Sequence, residues 1–265
     1  MKNKIILVII GVFILNYSYS SEFDNQIDIR NIIDLSNIKD KLILEYHTLL
    51  YSQNSDDITI QRIVEISDSL ELMNNELIKQ FIDRLSGELG YAEISLLNIE
   101  SSIEIIQSQC KKMRIIDWDS GLGGTMKQVI SIVQYLTPEG TYVSQLLYNA
   151  GAKNYELRFN MFCDKIKLAS INNKLYYLVS GTGKFESHKK TYILNVFKID
   201  GFSLNSNCKI VLDQKGINSN HIFITKTMLD KFSTSCFEYD SINQLVKFLT
   251  KDDINHSIFY LKNEK

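Results

Sequence analysis

Tyr192-Ile193-Leu194-Asn195-Val196-Phe197-Lys198-Ile199-Asp200-Gly201 is the stretch that decides the fold. As a strand its side chains alternate, so Tyr192, Leu194 and Val196 face one way while Ile193, Phe197 and Ile199 face the other. Both faces are apolar, and both need cover. Asp200-Gly201 then supplies a strong short hairpin signal. A strand greasy on both sides calls for sheet on sheet, or helices over one face, in preference to a single open meander.

The surroundings repeat the theme at intervals of 8 to 12 residues. Lys127 to Leu136 and Thr141 to Leu147 flank Thr137-Pro138-Glu139-Gly140, and Ile166 to Ile171 and Leu175 to Val179 flank Asn172-Asn173. Further strands are expected at Met113 to Trp118, Leu157 to Phe162, Lys209 to Leu212, Ile222 to Thr225, Phe237 to Tyr239, Leu245 to Leu249 and Ile258 to Leu261. Nine of the twelve glycines lie beyond Ser120, as do the turns they serve. Residues 111 to 265 therefore read as an antiparallel β-rich domain, sandwich-like or meander.

Residues 21 to 110 have a different period. Leu35, Ile38, Leu42, Tyr46 and Leu49 form one helical stripe, and Ile63, Ile66, Leu70, Met73, Leu77, Phe81 and Leu85 a second. Asp56 and Asp57 are candidate caps for the second helix, and Gly87 and Gly90 supply a stop. Leu96, Ile99, Ile103, Ile106 and Cys110 continue the spacing and predict a third helix. The fold class is thus α+β: a helical lead-in followed by antiparallel sheet.

At the start, Lys2 and Lys4 precede an unbroken run from Ile5 to Leu15, followed by Ser18-Tyr19-Ser20. This is the pattern of a secretory signal peptide over residues 1 to 20, cleaved near Ser20. Eleven residues of helix reach roughly 16 Å, about half of the hydrocarbon thickness, so no permanent membrane span is expected. A periplasmic or secreted location follows. Loss of Lys2 and Lys4 from 29 basic and 31 acidic side chains leaves 27 against 31, a formal charge of −4. Nucleic acid is excluded as a partner on that balance.

Four cysteines, Cys110, Cys163, Cys208 and Cys236, are disulfide candidates in an oxidising compartment. Any of three pairings is allowed, and four buried thiols are the alternative.

The densest polar cluster is Asp117-Trp118-Asp119-Ser120-Gly121-Leu122-Gly123-Gly124-Thr125. Asp117 and Asp119 are candidate catalytic carboxylates, since residues two apart on a strand project to one side. They are also candidate ligands for a divalent cation, but the loop has Gly121 where a third oxygen ligand belongs and Gln128 where glutamate belongs. A structural turn is the competing account. Gly181-Thr182-Gly183-Lys184 lacks the first glycine and the Ser or Thr of a phosphate loop and reads as a mobile loop ending at His188-Lys189-Lys190. The histidines His47, His188, His221 and His256 stand singly, without zinc spacing. No cofactor is implied.

Trp118, Tyr176 and Tyr192 are candidate binding residues, because amphipathic rings on strands line protein and glycan contact surfaces. Core packing is the alternative for each. The segment from Arg114 to Thr125 resembles a group of exported bacterial proteins that carry a similar W-D-x-G-x-G-G-T segment. The resemblance covers about residues 110 to 212 and implies helices ahead of a β-rich body, with no activity or site residues attached. The functional expectation is an exported, non-enzymatic interaction module that contacts a protein or glycan of the bacterial envelope. A secreted hydrolase using Asp117 and Asp119, with or without a divalent cation, is the alternative.

Overall fold

The computed structural model describes residues 29–52, 56–84, 102–123, 127–149, 160–186, 189–212, 216–227, 237–248 and 257–262. The export segment, Leu96, Ile99, Gly124, Thr125, His188, Cys236 and His256 lie outside the described residues. Two helices open the described chain, α1 (Ile29–Tyr51) and α2 (Asp57–Arg84). Asp56 caps α2 through its Oδ1, which accepts the Thr59 amide at 2.7 Å. The apolar stripes pack on each other, and Arg62 grips Glu45 with two hydrogen bonds of 2.7 and 3.1 Å.

Among the described residues, fourteen strands follow in three antiparallel sheets. The first runs β1 (Glu104–Gln107), β2 (Met113–Asp119), β3 (Val129–Leu136), β4 (Tyr142–Tyr148) in spatial order. In the second, β5 (Phe162–Ile171), β6 (Lys174–Glu186), β7 (Lys189–Asp200) and β11 (His221–Thr227) lie side by side, with β8 (Ser203–Asn205) pairing β7. The third has the order β10, β9, β14, β13, β12 and is built from Asn218–Ser219, Val211–Leu212, Ser257–Leu261, Leu245–Phe248 and Phe237–Asp240. The fold is α+β with a β-rich body.

The layers stack as helices, first sheet, second sheet, third sheet. Ile116, Trp118, Ile130 and Ile132 on one face of the first sheet meet Ile32, Leu77 and Phe81 of the helices. Its other face presents Met113, Ile115, Val133 and Tyr135 to Cys163, Tyr177, Val179, Ile193 and Phe197 of the second sheet. Tyr176, Leu178, Tyr192, Leu194 and Val196 then turn toward Val211, Phe237, Val246, Phe248 and Leu261 of the third. The alternation read from β7 is therefore realised, and each of its faces is covered by another sheet. Each fully buried Ile, Leu or Phe in these layers contributes about 1.5–3 kcal/mol.

Both short hairpins form where expected, the second with its loop one residue further along than Asp200-Gly201. Asn172 and Asn173 both have positive φ, 47° and 62°, as a type I′ turn demands. Between β7 and β8 the paired ends are Asp200 and Ser203, which makes Gly201-Phe202 the two-residue loop, with Gly201 at φ 55°.

Two expectations are corrected. The third helical stripe fails at its C-terminal end, because Glu104 to Gln107 form β1, paired antiparallel to β2 from Glu104 with Asp117 through Gln107 with Arg114. Four residues with two adjacent isoleucines fit either period, and the long-range ladder decides. Gly181 to Lys184 lie within β6 instead of a loop. A Cβ on Gly181 would come 2.3 Å from the Phe162 carbonyl oxygen, so the glycine there serves a close approach of β5 to β6.

Candidate functional site

The segment after β2 is anchored from below by both helices. Trp118 is fully buried and stacks on Phe81 with ring centroids 5.5 Å apart, while its Nε1 donates to Asn74 Oδ1 at 2.9 Å. The Asn74 amide nitrogen in turn donates to the Ser120 carbonyl at 2.8 Å. From α1, Lys39 Nζ donates to the Asp119 carbonyl at 3.0 Å and lies 3.1 Å from Asp40 Oδ1. Lys39 is buried, and that burial pulls its pKa down against the opposing pull of Asp40.

Local turns complete the segment. Asp119 Oδ1 accepts the Gly121 amide at 3.0 Å, and Ser120 Oγ accepts the Leu122 amide at 3.2 Å. Gly121 has φ 78°, and a Cβ there would stand 2.4 Å from Ile43 Cγ1. Only glycine fits. The described part of the Asp-Gly cluster is therefore a turn clamped onto two helices.

Asp117 and Asp119 have different surroundings. Asp117 lies between the first and second sheets, where its Oδ2 accepts the Cys163 amide at 2.7 Å and its Oδ1 has no hydrogen-bond partner. Burial pushes its carboxyl up to about 6, with the Cys163 amide and the neighbouring Ser131 hydroxyl pulling the other way. The Asp119 side chain is 19 % exposed, and its Oδ2 stands 3.6 Å from Lys127 Nζ. A carboxyl closed to solvent reaches no substrate, so the pair does not form a two-carboxylate cleft.

Asp119 instead borders a groove of about 690 Å³ between α1, β1 and the end of β2. Ile103, Ile105 and Phe162 give it apolar walls; Asp40, Glu104 and Lys127 give it charge. Lys127 lies over the Phe162 ring at 5.3 Å, and Asp40 accepts the Ser102 hydroxyl at 2.8 Å. Burial raises the Glu104 carboxyl, with Lys127 acting against it. Asp40, Ser102, Glu104 and Lys127 were not legible as a group, since they come from three separate segments. Lys39 carried a signal: it is a lysine one turn from both Leu35 and Leu42 on the apolar stripe of α1.

The other candidates take structural places. Trp118, Tyr176 and Tyr192 are at most 2 % exposed and belong to the cores between layers. Cys110 and Cys163 carry free thiols, Cys208 Sγ donates to the Asn205 carbonyl at 3.4 Å, and burial together with Asp117 pushes the Cys163 thiol up. His47 packs on Tyr46 and Tyr51, and His221 Nδ1 meets Asn220 Oδ1 at 2.7 Å. Among the described residues, no three His, Cys, Asp or Glu side chains are gathered to hold a metal ion. Nor, among them, is any helix long and apolar enough to cross a membrane.

No protein-family model matches the sequence, and comparison with curated proteins and with solved structures returns no match.

Proposed function

We propose that the chain is an exported, non-enzymatic interaction module of the bacterial envelope, and that it contacts a protein or glycan partner through the groove bounded by Asp40, Glu104, Asp119 and Lys127. The observation that carries the reading is the groove itself: charged groups stand beside apolar Ile103, Ile105 and Phe162, the mixed lining from which recognition sites are built. The charged run at Lys2 and Lys4 before Ile5 to Leu15 supports export. Trp118, Tyr176 and Tyr192 do not supply the contact face, because their rings are buried in the core. A hydrolase built on Asp117 and Asp119 draws less support, since Asp117 has no route to solvent.

Envelope extracts and glycan arrays are probed with the mature wild-type chain, with Glu104→Arg in the groove, and with Ile242→Asp as a control at a 90 % exposed site. A ligand retained by the wild type and by Ile242→Asp but lost by Glu104→Arg is the expected result. Absence of any ligand, or equal retention by Glu104→Arg, overturns the groove. Mass spectrometry that finds an intact N-terminus in the cytosol overturns export.

A further inference from the structure

We propose that the groove is a seat for an arginine side chain of a protein partner, and that Lys127 fills the seat as a stand-in while the partner is away. The inference rests on the groove being the contact surface, and it narrows the occupant from protein or glycan to a basic protein segment.

The lining is unbalanced in charge. Asp40, Glu104 and Asp119 border the groove, and the only cationic side chain among its lining residues is Lys127. Asp40 is engaged from behind, where its Oδ1 accepts the Ser102 hydroxyl at 2.8 Å and stands 3.1 Å from Lys39 Nζ. Asp119 Oδ1 accepts the Gly121 amide at 3.0 Å, which leaves its Oδ2 to Lys127. Lys127 acts on Glu104 through space. An arriving cation therefore meets carboxylates that one mobile ammonium has to share.

Lys127 marks what the seat accepts. Its Nζ lies 5.3 Å from the centre of the Phe162 ring and 3.6 Å from Asp119 Oδ2, so an aromatic face and a carboxylate already converge on one cation. Both contacts are long and the side chain is 66 % exposed, so the hold is weak and its release costs little. A guanidinium suits the place better, because its plane stacks on a ring while its fork reaches a carboxylate. Its methylene stem then covers the apolar walls at Ile103 and Ile105.

The same lining disfavours other occupants. A neutral glycan would desolvate the carboxylates without supplying a counter-charge, and an anionic one would be repelled. At about 690 Å³ the groove holds more than one side chain, so the arginine arrives with its neighbours as part of a peptide segment.

Two probes test this, acetyl-Leu-Arg-Leu-amide and the same peptide with citrulline, which keeps the shape and loses the charge. Each is titrated into the full chain at low salt, with amide chemical shifts as the readout. The arginine peptide is expected to bind about tenfold more tightly than the citrulline peptide and to shift the amides of Asp119, Lys127 and Phe162. Lys127→Ala vacates the seat and is expected to raise the arginine affinity about threefold, with citrulline unchanged. Phe162→Leu keeps the apolar wall and every charge, and is expected to lower the arginine affinity alone by about threefold. Equal binding of the two peptides, a weaker arginine complex in Lys127→Ala, or no loss in Phe162→Leu overturns the seat. If the envelope ligand that Glu104→Arg loses proves to be a glycan, the groove stands as the contact surface and the arginine occupant is overturned. Failure of the groove itself reads differently: neither peptide shifts any of its amides.

Discussion

Trp118 Nε1 donates to Asn74 Oδ1 at 2.9 Å, and through that bond the only tryptophan of the chain fastens the end of β2 to the middle of α2. The same Asn74 amide donates onward to the Ser120 carbonyl, so one side chain satisfies a buried donor and a buried acceptor. Asn74→Ala strands both. Equilibrium urea unfolding is expected to show a loss of about 2–4 kcal/mol, with most of it from the two orphaned groups. A loss under about 1 kcal/mol would mean that water reaches the indole nitrogen.

Gly121 combines a positive φ of 78° with a Cβ position 2.4 Å from Ile43 Cγ1. Gly121→Ala therefore meets both backbone strain and a clash, and a destabilisation of about 2–4 kcal/mol is expected. The two parts separate in a double-mutant cycle with Ile43→Ala, which opens the space but leaves the backbone strained. Gly140→Ala, at φ 87° with nothing within 4 Å of its Cβ, isolates the strain alone and is expected to cost about 1 kcal/mol.

Asn173 occupies the second central position of the β5–β6 turn at φ 62°. Glycine adopts that conformation without a Cβ penalty, and Asn-Gly is the preferred pair for this turn. Relief of the left-handed Cβ penalty outweighs the extra chain entropy of glycine, so Asn173→Gly is expected to raise stability by about 0.5 kcal/mol, read as a higher midpoint in urea. An unchanged or lower midpoint would show that the Asn173 side chain makes a compensating bond.

Thiol reactivity offers a check on the layer order. Cys163 and Cys208 are at most 3 % exposed, each in a core between two layers, whereas Cys110 is partly accessible. In the native chain at pH 8, Cys110 is expected to react with a water-soluble disulfide reagent well before the other two. The Cys163 thiol is held protonated by burial and Asp117, and it should label only as the chain unfolds. Fast labelling of Cys163 would contradict the packing of the second sheet on the first.

The general architecture was legible because it rests on local periods. Leu35 to Leu49 and Ile63 to Phe81 keep a helical spacing that any partner surface would exploit, and Asn172-Asn173 fixes its own turn. Ile103 to Ile106 misled for the same reason: four residues carry too little periodicity, and their strand state depends on a ladder to Arg114 through Asp117. Tyr176 of β6 and Tyr192 of β7 were readable as strand residues, but whether their rings meet solvent or another sheet depends on a layer contributed by residues past 208.

By itself, the sequence determined the two long helices and the succession of strands that follows them, though not β1 or the continuation of β6 through Gly181 to Lys184, and it determined that β7 needs cover on both faces and that the N-terminal run has the form of an export signal. These are properties of neighbouring side chains, set by backbone sterics and the spacing of apolar groups. Tertiary structure alone decided that Asp117 is buried while Asp119 opens on a groove, and that Glu104 joins it there. Burial and field at a carboxylate are sums over groups distant in the chain, and only the packed layers bring those groups within range.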